Sequence, residues 1–421
     1  MKVALVHDWL TGMRGGERCL EVLCEIFPNA HLYTLLWIKG TVSPMIERHA
    51  IHTSFVQRLP GSAKGYRSYL PLFPWAVRAF DLARYDLVLS SSHCVAIGVR
   101  VHPETCHLAY VYTPMRYVWD QQAAYLGAHH ASAAFRVVGA AGARWLRRWD
   151  RKAGQGPYRL ACISHTVAER IGRCYGREAT VIHPPVDRAR FSINAQTAEA
   201  GRTGYLVVSA FAPYKRLDLA IAACNRLRRP LTVIGSGQEE RRLRKMAGAT
   251  VTMLGWQADE AIGHAYAGCR ALLFPGLEDF GIVPLEAMAS GCPVIAYGEG
   301  GAVETVVPLN GQGKDTLGAH RTTPTGVLFR PQTAEALAEA ITNFEEHERE
   351  FDSARIREHT LRFDRPIYKQ RMEQFIAETY ARFREERGLP RNDWLAAASF
   401  DRTGQSSTRV IPGRTEAYEF R

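Results

Sequence analysis

Three charged side chains have types and positions that could do ligand chemistry: Lys215, Glu278 and Glu286. Lys215 follows the apolar run 205–208, where an ammonium is a point charge for a diphosphate. The two glutamates flank a strand–loop–helix passage. Residues 270–274 read as a strand, and Pro275 and Gly276 break it. Pro284 suits the first turn of a helix, because the amide hydrogen it lacks has no partner there. Gly291 ends that helix and 293–297 read as the next buried strand. The helix N-terminus so formed, near Gly281, offers free N–H groups and partial positive charge to a phosphate. Glu278, on the loop, would accept from a sugar hydroxyl, and Glu286, in the expected first turn, from a ribose diol. A first-turn glutamate is commonly only a cap, so neither residue decides the chemistry alone.

The totals set bounds. A chain of 421 residues fits two domains and a tail better than one core. With 46% hydrophobic and 23% charged residues it has the composition of a soluble globular protein. No apolar run reaches the ~18–20 residues that span a bilayer. The apolar run of the first eight residues is too short for a signal peptide, and 3–6 read as a first strand. Nine cysteines without paired short spacing are expected to be reduced thiols, and neither metal nor cofactor is expected. A net charge of +11 attracts anions, whether nucleic acid, anionic lipid or a diphosphate.

Along the chain, apolar runs alternate with helical patterns, which predicts α/β domains with parallel sheets and ligands at the carboxyl ends of strands. After the first strand, Gly15 and Gly16 lie in an expected turn that lets backbone approach a phosphate or a sugar. Residues 51–80 carry Arg58, Lys64, Arg67 and Arg78 among nine aromatic or leucine side chains and no acid. The stretch 144–152 repeats that composition. Both suit an anionic membrane surface, or else a helical hairpin with solvated arginines. Ser164 would cap a helix after the strand 159–163. The prolines at 184 and 185 mark an inter-domain crossing, with the polar stretch 192–203 as linker. Residues 366–380 read as an amphipathic helix starting at Pro366, and 388–421 as disordered.

The string 274–291, with Glu278, seven residues and then Glu286, resembles the acidic pair of the family-4 retaining glycosyltransferases, and the likeness continues through 300–306. Residues 107–120, ending Thr113-Pro114-Met115-Arg116-Tyr117-Val118-Trp119-Asp120, resemble a signature of bacterial mannosyltransferase-type members. Tyr112 stands where that signature has histidine, and Ala210 where the family has an arginine ahead of Lys215. The resemblance covers roughly 1–380. It implies the GT-B fold of two Rossmann-like domains facing a cleft. The acceptor domain would span 1–190 and the nucleotide-sugar domain 200–365, with a helix over 366–387 crossing back. It further implies a retaining, metal-independent hexosyl transfer with Glu278 and Lys215 as catalytic residues. Donor contacts would come from Gly15, Gly16, Lys215, Arg216, Gly235, Phe280, Gly281, Ile282 and Glu286, and acceptor or sugar contacts from Tyr112, Arg116 and Ser164. The implied donor is GDP-mannose and the acceptor a glycan or polyprenyl-diphosphate-linked glycan in polysaccharide synthesis. The implied place is the cytoplasm, at the inner membrane face. Two other readings stay open: a GT-B nucleotide-sugar 2-epimerase, and a non-enzymatic basic binding protein. For nucleic acid no reading motif is present, so no nucleic-acid partner is expected.

Overall fold

A computed structural model describes residues 1–119, 133–193, 201–309 and 323–390, without the side chains of 117 and 133–140. Most of the proposed linker 192–203 and nearly all of the proposed tail 388–421 lie outside the described residues.

Strand runs such as Val3–His7 and Leu87–Ser92 are buried along their whole length, as strands covered on both faces must be. Seven such strands make the first sheet: β1 Val3–His7, β2 His31–Thr34, β3 Ala50–Thr53, β4 Leu87–Ser92, β5 Cys106–Val111, β6 Arg159–Cys162 and β7 Thr180–Val181. Their order is β3-β2-β1-β4-β5-β6-β7, each pair of neighbours parallel. A second sheet uses β8 Tyr205–Val208, β9 Leu231–Ile234, β10 Val251–Gly255, β11 Ala271–Phe274, β12 Val294–Tyr297 and β13 Gly326–Phe329, in the order β10-β9-β8-β11-β12-β13. In both sheets the winding reverses once, between β1 and β4 and between β8 and β11. Such a reversal opens a crevice at the strand carboxyl ends, where ligands of this architecture sit.

Two glycine effects shift helix starts from their expected places. The first helix begins at Gly15 and runs to Ile26, so Gly15 and Gly16 lie in its first turn rather than in a loop before it. The helix after β11 is Ile282–Ala289. It starts two residues before Pro284 because Gly281, at φ +95°, turns the chain in a conformation that L side chains disfavour. Glu286 therefore lies in the second turn, not the first.

Helix Arg365–Glu386 is capped by Asp364 and lies against the first domain. Tyr368 contacts Tyr110 of β5 with ring centroids 5.7 Å apart. Arg365 pairs with Glu21 and Glu25 of the first helix at 3.1 and 2.6 Å.

Candidate functional site

At the reversal of the second sheet, β8 and β11 end side by side. The chain leaves β8 through a 3-10 turn, Pro213–Lys215, and leaves β11 through the loop 275–281. These two exits bring the Lys215 ammonium into an ion pair with Glu278, both side chains less than one-fifth exposed. An ammonium has three protons, so pairing with Glu278 orients Lys215 while leaving donors for an incoming anion. Arg216 is not beside it. Its backbone sits at φ +52°, and the guanidinium is held by Asp218 at 3.1 and 3.2 Å, which leaves Lys215 as the cation at this turn.

Two glycines fix the acidic loop. Gly301 donates its N–H to the Glu278 carbonyl at 2.8 Å. A Cβ on Gly301 would stand 2.1 Å from Phe280 Cα, and one on Gly300 would stand 2.3 Å from the Glu278 carbonyl oxygen. Gly301→Ala must therefore push the loop away. We expect about 1–3 kcal/mol of lost stability in urea unfolding. Turnover should fall on the order of 100-fold, because a shift near 1 Å misplaces Glu278. Gly235, at φ +134°, packs its α-carbon against the Ser209 carbonyl in the same way and joins the ends of β9 and β8.

Across the cleft stands the first domain. A cavity of ≈ 350 Å³ is lined by Trp9, Gly15, Gly16, His93, Tyr112, Glu278, Phe280, Gly281 and Ile282 among others. An adjoining one of ≈ 230 Å³ is lined by Arg14, Arg18, Arg190, Asp259, Ile282 and Glu286 among others. A larger cavity of ≈ 510 Å³ opens at the amino ends of β1 and β2, away from both sheet crevices, and holds none of these residues. The cleft cavities thus gather both acids and the start of the Ile282 helix opposite the start of the Gly15 helix.

Glu286 accepts a hydrogen bond from the Tyr266 hydroxyl at 3.2 Å. Burial pushes its carboxyl up to about 7. The ionised form is the better acceptor from a diol, so a ligand hydroxyl pair competes with the proton. Affinity for a ribose-bearing ligand should rise as pH climbs from 6 to 8. Calorimetry at the two ends should show a several-fold difference that Glu286→Gln abolishes.

Three expected contacts take other roles. Tyr112 donates its hydroxyl proton to the Gly16 carbonyl at 2.9 Å and meets Ser91 at 2.8 Å, so it holds the Gly15 helix and offers the cavity its ring. Ser164 is wholly buried: it accepts from the Val167 N–H and donates to the Asp279 carbonyl, a helix cap with no surface for an acceptor. Arg116 reaches across the cleft to Asp279 at 3.0 Å, where Arg170 also lands at 2.6 Å.

Sequence reasoning missed four residues. Asp279 is the shared anion of that cross-domain cluster. Glu304, also of the second domain, accepts the backbone N–H groups of His165 and Thr166 and so caps the helix His165–Tyr175 of the first. Asp8, at the end of β1, accepts four backbone N–H groups from 93–96 and stands 3.1 Å from His93 Nδ1. That carboxylate fixes the proton of His93 on Nδ1, and burial holds the ring below the usual histidine range, so a neutral imidazole faces the cavity. The available signal was position: Asp8 and His93 follow β1 and β4, the strands of the first reversal.

Residues 190–360 match the family described as glycosyl transferases group 1. This part of the chain is a glycosyltransferase group 1 domain. The group 1 domain carries Lys215, Glu278 and Glu286. Glycogen synthase of Mycobacterium tuberculosis is 31% identical over 196 residues, 43% of this chain and 44% of that protein. A Corynebacterium glutamicum protein, the GDP-mannose-dependent monoacylated alpha-(1-6)-phosphatidylinositol monomannoside mannosyltransferase, is 32% identical over 189 residues, 38% of this chain and 50% of its own length. The chain thus spans about half the length of the curated relatives it matches. Sucrose-phosphate synthase from Thermosynechococcus elongatus, at 18% identity, shares the fold with a TM-score of 0.66 over 90% of this chain and all of its own. The two parallel-sheet domains have the GT-B arrangement of such glycosyltransferases.

Proposed function

We propose that this chain is a retaining, metal-independent glycosyltransferase that moves mannose from GDP-mannose to a glycan or lipid-linked glycan. The observation that carries this reading is the Lys215–Glu278 pair, fixed where β8 and β11 end, with Glu278 lining the cavity opposite the start of the Gly15 helix. A leaving diphosphate needs its charge neutralised as the glycosidic bond breaks. Lys215 and the N–H groups at the start of the Ile282 helix supply that charge without a cation. Glu278 takes hydroxyls of the transferred sugar and Glu286 the ribose. Mannose is favoured over glucose by mannosyltransferase relatives such as the Corynebacterium protein.

The test is a screen of labelled nucleotide sugars against membrane fractions, with and without a strong chelator. Transfer from GDP-mannose that survives chelation is expected. A free sugar of altered stereochemistry, formed from donor alone, would make the protein a 2-epimerase instead. Activity that is lost on chelation and restored by Mg²⁺ would overturn metal independence.

The reading includes a place at the inner membrane face. No helix among the described residues is long and apolar enough to cross a membrane. The two basic-aromatic stretches meet: Trp75 (56% exposed) stacks on Trp145 (39% exposed) with ring centroids 5.1 Å apart. Lys64, Arg144 and Arg148 are exposed, whereas Arg78 turns inward over the Trp149 ring. Each exposed cation is worth about 1 kcal/mol at an anionic leaflet. Co-sedimentation with anionic vesicles at low salt is expected to drop at least tenfold for the triple change Lys64→Glu, Arg144→Glu and Arg148→Glu. Equal sedimentation with neutral vesicles would remove the membrane from the reading.

A further inference from the structure

Outside the cleft chemistry, one side-chain cluster bridges the domains with its donor atoms facing each other. Glu304 sits on the short helix Ala302–Thr305 of the group 1 domain. Its Oε1 accepts the Thr166 N–H at 3.0 Å and the Thr166 hydroxyl at 3.1 Å. Its Oε2 accepts the His165 N–H at 2.9 Å and turns its remaining lone pair toward His183 Nε2 at 3.3 Å. His183 is buried and stacked on Phe280, with centroids 5.3 Å apart. His165 is exposed at the mouth of the cluster. One donor atom from each of the three side chains lies within 4.8 Å of the others, and no other group of this kind occurs among the described residues.

The 3.3 Å separation is informative. A charge-assisted N–H···O bond in a buried pair closes to roughly 2.7–2.9 Å. Two ligands on a tetrahedral ion with bonds of about 2.0–2.1 Å stand roughly 3.3 Å apart. The His183–Glu304 edge has the second spacing. His165, being exposed, is free to turn its ring toward that edge and complete the face.

We infer that His165, His183 and Glu304 form a site for a Zn²⁺-class divalent cation that staples the first domain to the group 1 domain. Two imidazoles and one carboxylate suit such an ion and not Mg²⁺, which takes oxygen ligands; a water fills the fourth position. The ion takes the place between Nε2 and Oε2, and the His183 ring keeps its one proton on Nδ1. It lies outside the Lys215–Glu278 pair and takes no part in bond breaking. Because its ligands come from both domains, the ion holds the cleft shut and slows exchange through it. The inference does not depend on the donor or on transfer, and its test needs neither.

The full chain, stripped by chelator and dialysed, is titrated with Zn²⁺ and with Mg²⁺ by calorimetry. The nine cysteines are all buried, which limits competing thiolate sites. One Zn²⁺ per chain and no Mg²⁺ binding are expected. His165→Asn, at an exposed position that should not disturb folding, is expected to weaken Zn²⁺ at least tenfold. Hydrogen exchange reads the staple directly: amides of 164–167 and 301–305 should slow with Zn²⁺ in the wild type and not in His165→Asn. Equal Zn²⁺ affinity in the two proteins, or unchanged exchange at both segments, would overturn the site.

Discussion

Lys215→Ala is expected to lower kcat by about 10²–10³-fold, the usual effect of removing one preorganised charge from a developing oxyanion. The lysine pairs with Glu278 in the free protein, and in the proposed reaction its charge matters most when the diphosphate leaves. So kcat and kcat/KM should fall together while donor affinity changes little, the pattern of an interaction made in the transition state. Arg216 cannot take over, since Asp218 holds it in a two-point contact. Ala210, where the family has arginine, adds nothing. Lys215→Arg should recover only part of the rate, because a planar fork does not occupy the place of a compact ammonium. Steady-state kinetics with saturating acceptor decide it; a loss under threefold would remove Lys215 from the chemistry.

Asp279→Ala should produce the largest structural effect of any single side chain in the cleft. It leaves Arg116 and Arg170, 19% and 9% exposed, facing each other without their anion. Breaking a buried pair by removing one partner costs about 3 kcal/mol at the low end, and the partial exposure of Arg116 argues for that end. The loss falls on the seam between domains, so small-angle scattering should show a more open molecule. KM should rise more than kcat falls. Arg116→Ala should cost less, since Asp279 keeps Arg170 and Arg116 otherwise lies over the Tyr214 ring. Equal melting temperatures for wild type and Asp279→Ala would contradict this account.

Much of the fold was legible because buried parallel strands read as continuous apolar runs separated by helical patterns. The positions of Glu278 on the loop after β11 and of Lys215 on the turn after β8 were legible because strand-breaking residues follow both strands. Asp279 and Glu304 were not. Asp279 looks like a second solvated acid beside Glu278, and only its cross-domain partners, 109 and 163 residues away in sequence, show its role. Glu304 and the helix it caps are separated by 139 positions. No local period encodes contacts of that range. The hydroxyls of Tyr112 and Ser164 were equally illegible: their place at a strand end suggested a ligand, while both hydroxyls bond backbone carbonyls, which leaves Tyr112 its ring to face the cavity. Arg216 failed for a third reason. A left-handed backbone angle at a non-glycine residue, invisible in the sequence, points the side chain back to Asp218.

The return of helix Arg365–Glu386 to the first domain has a consequence for how the chain is made. The first sheet is complete once residue 181 has left the ribosome, yet Tyr110 and Cys19 wait for Tyr368 to cover that face. The whole group 1 domain must be synthesised first. At about 5–20 residues per second, that interval is roughly 10–40 s. During it the first domain shows the ribosome-side cytosol an uncovered apolar groove flanked by Glu21 and Glu25, which later take Arg365. A chain truncated after residue 360 and released should therefore hold a group 1 domain that resists protease and a first domain that does not.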